Sequence, residues 1–196
     1  MRDHKREKIL EIAQNIFTRF GIKKSTMDEI AKKIRMAKST LYHYFRNKEE
    51  IFLEVVKRES QTLKEKLKEA IGKAETPQDK FRAYSCTRMV YLKELNNYYS
   101  TLTDAYFEFY SFTEKIRKDF NDFELTTIEG IFREGMRKGV FDIKNPEITA
   151  QMATIAFKGF EYLIITREPS ADITNELDLL IDVFIKGIEK REAKKQ

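Results

Sequence analysis

Six consecutive residues, Lys38-Ser39-Thr40-Leu41-Tyr42-His43, set four kinds of polar group around one apolar side chain. An ammonium donates to the acceptors of guanine. Hydroxyls bond several base edges or meet a thymine methyl, and an imidazole donates. A phenolic hydroxyl suits a phosphate oxygen. On a helix turning about 100° per residue, Ala37, Leu41, Tyr44 and Phe45 fall on one side. Ser39 and His43 point opposite, with Lys38 and Tyr42 on one flank and Thr40 on the other. The inward set should pack on Ile30, Ala31, Ile34 and Phe17. The outward set is free to meet bases and phosphates. Two further groups stand at helix mouths. Lys48 opens the next helix, where its ammonium and the free backbone N–H groups can hold a phosphate. Thr26 opens the preceding helix and can do the same.

The elements that must carry these residues follow from local signals. Ile9, Ile12, Ala13, Ile16, Phe17 and Phe20 recur at helical spacing and predict a first helix from about Arg6 to Phe20, closed by Gly21. A second helix buries Met27, Ile30, Ala31 and Ile34, capped by Ser25 or Thr26 with Asp28 or Glu29 completing a capping box. A turn over Arg35–Ala37 leads to the third helix, Lys38–Phe45. Two short helices joined by a short turn form a helix-turn-helix, the layout that presents its second helix to a DNA major groove. Asn47 caps a long fourth helix with Glu49 and Glu50 in its first turn, running to about Ile71. Beyond it, helices are expected at about 77–95, 98–109 and 112–138. Thr76-Pro77 starts the first of these and Gly139 ends the last. Another runs from Asn145-Pro146 to about Thr166, and a final one from Asp172 to near Glu189. The chain therefore reads as all-α with about nine helices: a head over residues 1–50 and a helical domain over 51–196.

Composition narrows the function classes. Residues 1–50 hold 13 Lys+Arg against 7 Asp+Glu, while the remainder holds 24 against 25, so the whole positive excess of the chain sits in the head. A basic surface coincident with a helix-turn-helix points to nucleic acid. The single Cys86 excludes an internal disulfide framework and, with a charged start unlike a signal peptide, fits the cytoplasm. No apolar run approaches the ~20 residues of a membrane span. The two histidines, His4 and His43, both lie in the basic head. No catalytic set, metal-ligand spacing or phosphate-cradling glycine loop stands out, so neither an enzyme nor a cofactor is expected.

Residues 9–53 resemble the DNA-binding domain of TetR-type bacterial transcription regulators. The resemblance rests on Ile9-Leu10, Ala13, Phe17, Gly21 and Ser25-Thr26-Met27-Asp28-Glu29-Ile30-Ala31. It continues through Ser39-Thr40-Leu41-Tyr42-His43-Tyr44-Phe45 and Asn47-Lys48-Glu49-Glu50-Ile51. Two positions depart from the family's pattern. Arg35 stands where glycine is usual in the turn. Ala37 stands where serine often caps the reading helix. If the turn needs a left-handed residue, Arg35 costs roughly 1 kcal/mol relative to glycine. A missing cap typically costs ~1 kcal/mol.

The resemblance implies a repressor that binds a palindromic operator on double-stranded DNA as a homodimer, paired through its last two helices. It also implies that a small, largely apolar or aromatic ligand bound in the C-terminal domain modulates operator binding. Nine of the 24 aromatics lie between Tyr98 and Phe123, too many for one helical stripe. They form either an aromatic core or an apolar pocket with phenolic hydroxyls. Candidate walls are Cys86, Met89, Tyr98, Tyr106, Phe109, Phe123, Phe157 and Phe160. The alternative function is a small-molecule-binding helical protein with no specific DNA target.

Overall fold

The computed structural model describes residues 2–94, 107–166 and 173–190, which form eight helices and no strand. They are α1 (Arg2–Lys24), α2 (Met27–Ile34), α3 (Lys38–Tyr42), α4 (Lys48–Gly72), α5 (Pro77–Glu94), α6 (Phe107–Arg137), α7 (Pro146–Thr166) and α8 (Ile173–Ile188). The all-α expectation holds. The helix expected over 98–109 falls largely outside the described residues, and so does the Asp172 cap. The helix expected from residue 112 begins earlier, at Phe107. No glycine or proline interrupts Phe107–Phe112, so nothing local stops it.

The described residues fall into two compact units, one of Met1–Leu63 with Lys93–Lys118, the other of Lys64–Leu92 with Asp119–Gln196. In the first, α1 breaks at Gly21 (φ 72°, ψ 158°), a backbone state that suits glycine. The apolar stripe of α1 then packs with those of α2, α3 and the start of α4. Ile9, Ala13, Phe17, Ile30, Leu41, Phe45, Ile51 and Phe52 are all at most 3% exposed. Phe17 meets Phe52 edge-on at 5.3 Å between ring centres. A polar ladder ties α1 to α4 outside this core. Arg6 pairs with Glu54 at 3.1 Å, Glu7 with Arg58 at 2.9 Å, and Gln14 donates to Glu59 at 2.8 Å.

Caps set the helix starts. Glu50 N–H donates to Asn47 Oδ1 (2.8 Å), Asp79 N–H to Thr76 Oγ1 (3.1 Å) and Ile148 N–H to Asn145 Oδ1 (3.1 Å). The second unit is centred on Phe81, Phe132, Phe157 and Phe184. Phe81 lies 5.2 Å from Phe132, 5.7 Å from Phe157 and 5.3 Å from Phe184 between ring centres. Gly139, at φ 70°, turns the chain after α6. Phe141 then folds back over Gly135, where a Cβ would stand 2.0 Å from its ring. An isolated antiparallel bridge joins Phe141 to Glu189.

Candidate DNA interface

The helix-turn-helix is assembled from local devices. Thr26 caps α2 in a closed capping box: Glu29 N–H donates to Thr26 Oγ1 (3.2 Å) and Thr26 N–H donates to Glu29 Oε2 (2.8 Å). The Thr26 hydroxyl itself donates to Glu29 Oε2 at 3.0 Å. α2 ends at Arg35, which holds φ 58°, ψ 46°, the left-handed state that its place in the turn demands. Met36 N–H then returns to the Ala31 carbonyl at 2.9 Å. Ala37 opens α3 in extended geometry and offers it no side-chain cap.

α3 is regular only over Lys38–Tyr42, with hydrogen-bonded turns carrying it on to Phe45. Leu41 and Phe45 are buried and Tyr44 is half-buried, while Ala37 is exposed rather than inward. The Arg6 guanidinium lies 5.0 Å over the Phe45 ring. Lys38, Ser39, Tyr42 and His43 are exposed and Thr40 half-exposed, so the outward faces read from helical spacing are the faces left to solvent.

Two of the nominated cations are already engaged. Lys38 Nζ lies 2.7 Å from Asp28 Oδ1 across α2 and α3. The hydrogen bond that Lys38 donates to Asp28, and then the Asp28 charge, raise the lysine's pKa. Both side chains are more than half exposed, so the pair is weak in water and can open toward a stronger anion. Lys48 is held differently. Its ammonium donates to the carbonyls of Ile22 (2.9 Å), Lys23 (3.3 Å) and Ser25 (3.0 Å). Lys32 and Lys33 on α2, Arg35 in the turn and Arg46 just after α3 are further exposed cations near it in the chain.

The family model described as bacterial regulatory proteins, tetR family, matches residues 9–55, the span from the core of α1 into α4. Over 194 residues the chain is 29% identical to the HTH-type transcriptional regulator QacR of Staphylococcus aureus (strain Mu50 / ATCC 700699), covering 94% of this chain and 98% of that one. Residues 9–55 are thus a head of the TetR type. Solved structures share its fold. A transcriptional regulator from Cytophaga hutchinsonii ATCC 33406 superposes with a TM-score of 0.79 at 23% identity, covering 95% of this chain and 99% of that one. A transcriptional regulator from Saccharomonospora viridis in complex with choline does so at 0.81 and 17% identity, covering 96% of this chain and 100% of that one.

Of the eight residues nominated as ligand walls, five have described side chains: Cys86, Met89, Phe123, Phe157 and Phe160. Tyr98, Tyr106 and the side chain of Phe109 lie outside the described residues. Phe157 is packed edge-on against Phe81 in the aromatic core, and Met89 and Phe160 are buried. Phe123 is half-buried beside Phe120, with the Lys64 and Lys68 ammonium groups 5.4 and 5.6 Å from its ring centre. Cys86 is half-buried near Arg82 and Asp178, and burial, then the Asp178 charge, push its thiol pKa up. A cleft of about 260 Å³ between α6 and α7 is lined by Asp122, Leu125, Thr126, Glu129, Glu147, Ala150 and Gln151, none of them among the eight. No described cluster of His, Cys, Asp or Glu could hold a metal ion, and no described helix is long and apolar enough to cross a membrane.

The sequence reading missed a buried charged group in the second unit. Arg88 on α5 pairs with both Glu124 on α6 and Glu161 on α7, and the three are 3%, 0% and 4% exposed. The Tyr84 hydroxyl donates to Glu124 Oε1 at 2.6 Å. Burial first, then the Glu124 charge, drives the phenol's pKa well above its ordinary value. A signal was present: Glu124 sits in the apolar series Phe120, Ile128 and Ile131, and Glu161 follows Phe157 by four residues. A carboxylate on a buried stripe needs a partner, since an unpaired buried charge is very costly.

Proposed function

We propose that this DNA-binding transcription regulator is a homodimeric repressor that reads a palindromic operator with the outward face of α3. Lys38, Ser39, Thr40 and His43 meet base edges, while Tyr42 and Thr26 meet the sugar–phosphate chain. The observation that carries this reading is the exposure of the polar side of α3 above a buried Leu41 and Phe45, within a head whose exposed side chains include many lysines and arginines. Each base contact of good geometry is worth about 1–3 kcal/mol of discrimination. One such module buries too little surface for tight specific binding, so two-fold proteins read two-fold sites.

The dimer forms through α7 and α8. Ile148, Met152 and Ile155 on α7, and Leu179 and Val183 on α8, are each 50–65% exposed. Their spacings of four and three residues put each set along one helix face. Apolar stripes this exposed on two helices suit burial against a second copy.

A small, largely apolar ligand acts on the second unit and shifts the two heads away from the operator spacing of about 34–36 Å. The choline complex of the Saccharomonospora viridis regulator supports a ligand role for a fold of this kind. A 100-fold loss of operator affinity requires the ligand to prefer the non-binding state by about 2.7 kcal/mol.

Selection of bound sequences from random DNA tests the reading. The expected result is a palindrome with half-sites one helical turn apart or a multiple of it. An absence of enrichment, or an asymmetric single site, would overturn it.

A further inference from the structure

We propose that Lys48 is a positioning residue that closes the helix-turn-helix into a ring, rather than a ligand for DNA phosphate. An ammonium has three donors and no acceptor. At Lys48 all three are directed to carbonyls of the protein itself, those of Ile22, Lys23 and Ser25. The bond to Ile22 spans 26 residues, and the segment it encloses is the whole of α2, the turn and α3. Both ends of the DNA-reading unit are thereby tied together.

The receiving carbonyls belong to a stiff piece of chain. Gly21 breaks α1 just before them, the Ser25 hydroxyl donates to the Gly21 carbonyl at 2.7 Å, and Ser25 N–H donates to the Ile22 carbonyl at 3.3 Å. Ser25 is fully buried. The anchor is equally firm. Lys48 is the first residue of α4, and the following turn is capped by Asn47 and buries Ile51 and Phe52. Bonds from a charged donor are roughly twice as strong as neutral ones. A movement of the start of α4 therefore carries the α1–α2 link with it, and α2 and α3 move as one body with both.

This inference rests on the DNA-reading role of α3, and one set of measurements separates the two. Wild type and Lys48→Met are compared on the selected operator and on unrelated duplex, across a salt titration. A positioning role predicts at least a tenfold loss of operator affinity, unrelated-duplex affinity within about twofold, and an unchanged salt slope. A phosphate contact predicts a parallel loss on both duplexes and a slope smaller by about 0.9. That outcome, or full operator affinity in the variant, overturns the ring. Failure of wild type to bind any duplex overturns the DNA reading instead. Should the variant not fold, the wild-type ammonium is observed directly by nitrogen-15 resonance. A protected Lys48 Nζ signal, unmoved when operator is added, is expected. A signal that shifts on adding DNA refutes the proposal.

Discussion

Ala37→Ser should stabilise the head, and the size of the effect can be worked from the turn. α3 has five residues and opens on Ala37 at φ −62°, ψ 139°, with no side-chain acceptor for its first N–H groups. The first backbone bond into this helix is Leu41 N–H to the Ala37 carbonyl at 3.1 Å. The N–H groups of Ser39 and Thr40 precede it and have no acceptor within the helix. A serine hydroxyl at position 37 reaches one of them from the extended geometry already present, with no backbone change. The gain is about 1 kcal/mol, within a range of roughly 0.5–2. In urea the midpoint should rise with an unchanged slope, since the surface exposed on unfolding is the same. If the chain melts as a whole, the thermal midpoint should rise by about 2–4 °C, and by about 4–8 °C if the head melts alone. Ala37→Val, which lacks an oxygen, should show no such gain. A serine variant no more stable than the valine one would refute the argument that α3 lacks a cap.

Arg35→Gly should also stabilise, by about 0.5–1 kcal/mol, because relief of the left-handed strain exceeds the entropy that glycine adds to the unfolded chain; a lower urea midpoint would contradict it. Gly135→Ala should destabilise by about 1–3 kcal/mol, since the new methyl meets the Phe141 ring and forces it aside, and a neutral result would show that the ring moves freely. Ile155→Glu combined with Val183→Glu should give a monomer by analytical ultracentrifugation, with native helicity retained; a dimer that persists would move the interface elsewhere. Lys138 first, and Lys80 with it, hold the Glu134 carboxyl below its usual 4.5. The folded state thus binds this proton more weakly than the unfolded chain, so the stabilisation is present above that value and fades as pH falls through it toward the lower folded pKa. The stability difference between wild type and Glu134→Gln should accordingly shrink in urea titrations taken below pH 4.5, and a constant difference would remove the two lysines as the cause.

The parts of the fold legible in the sequence are those set by neighbours in the chain. Asn47, Thr76 and Asn145 act as caps because a side chain two or three residues from its N–H partner needs no tertiary help. The faces of α3 followed from spacing alone, although Ala37, at its first turn, lies open instead of inward. Arg35 was suspect from its place in the turn, and its left-handed backbone bears that out. What escaped depends on distant residues meeting. Lys48 reads as a free cation until three carbonyls from residues 22–25 surround it. Arg88, Glu124 and Glu161 lie on three helices, and the apolar stripes that carry the two carboxylates say that a partner is needed without saying which. The break expected near residue 112 failed for a simpler reason: a run of polar and aromatic residues without glycine or proline does not end a helix.

The reading helix is too short to stand by itself, and it is held by Leu41 and Phe45 from beneath. Its outward side chains therefore contribute little to whether the head folds. If the proposed base contacts are right, mutation at positions 38, 39, 40 and 43 is free to retune operator preference while leaving the scaffold intact. Such a division lets a lineage acquire new target promoters without first gaining surplus stability.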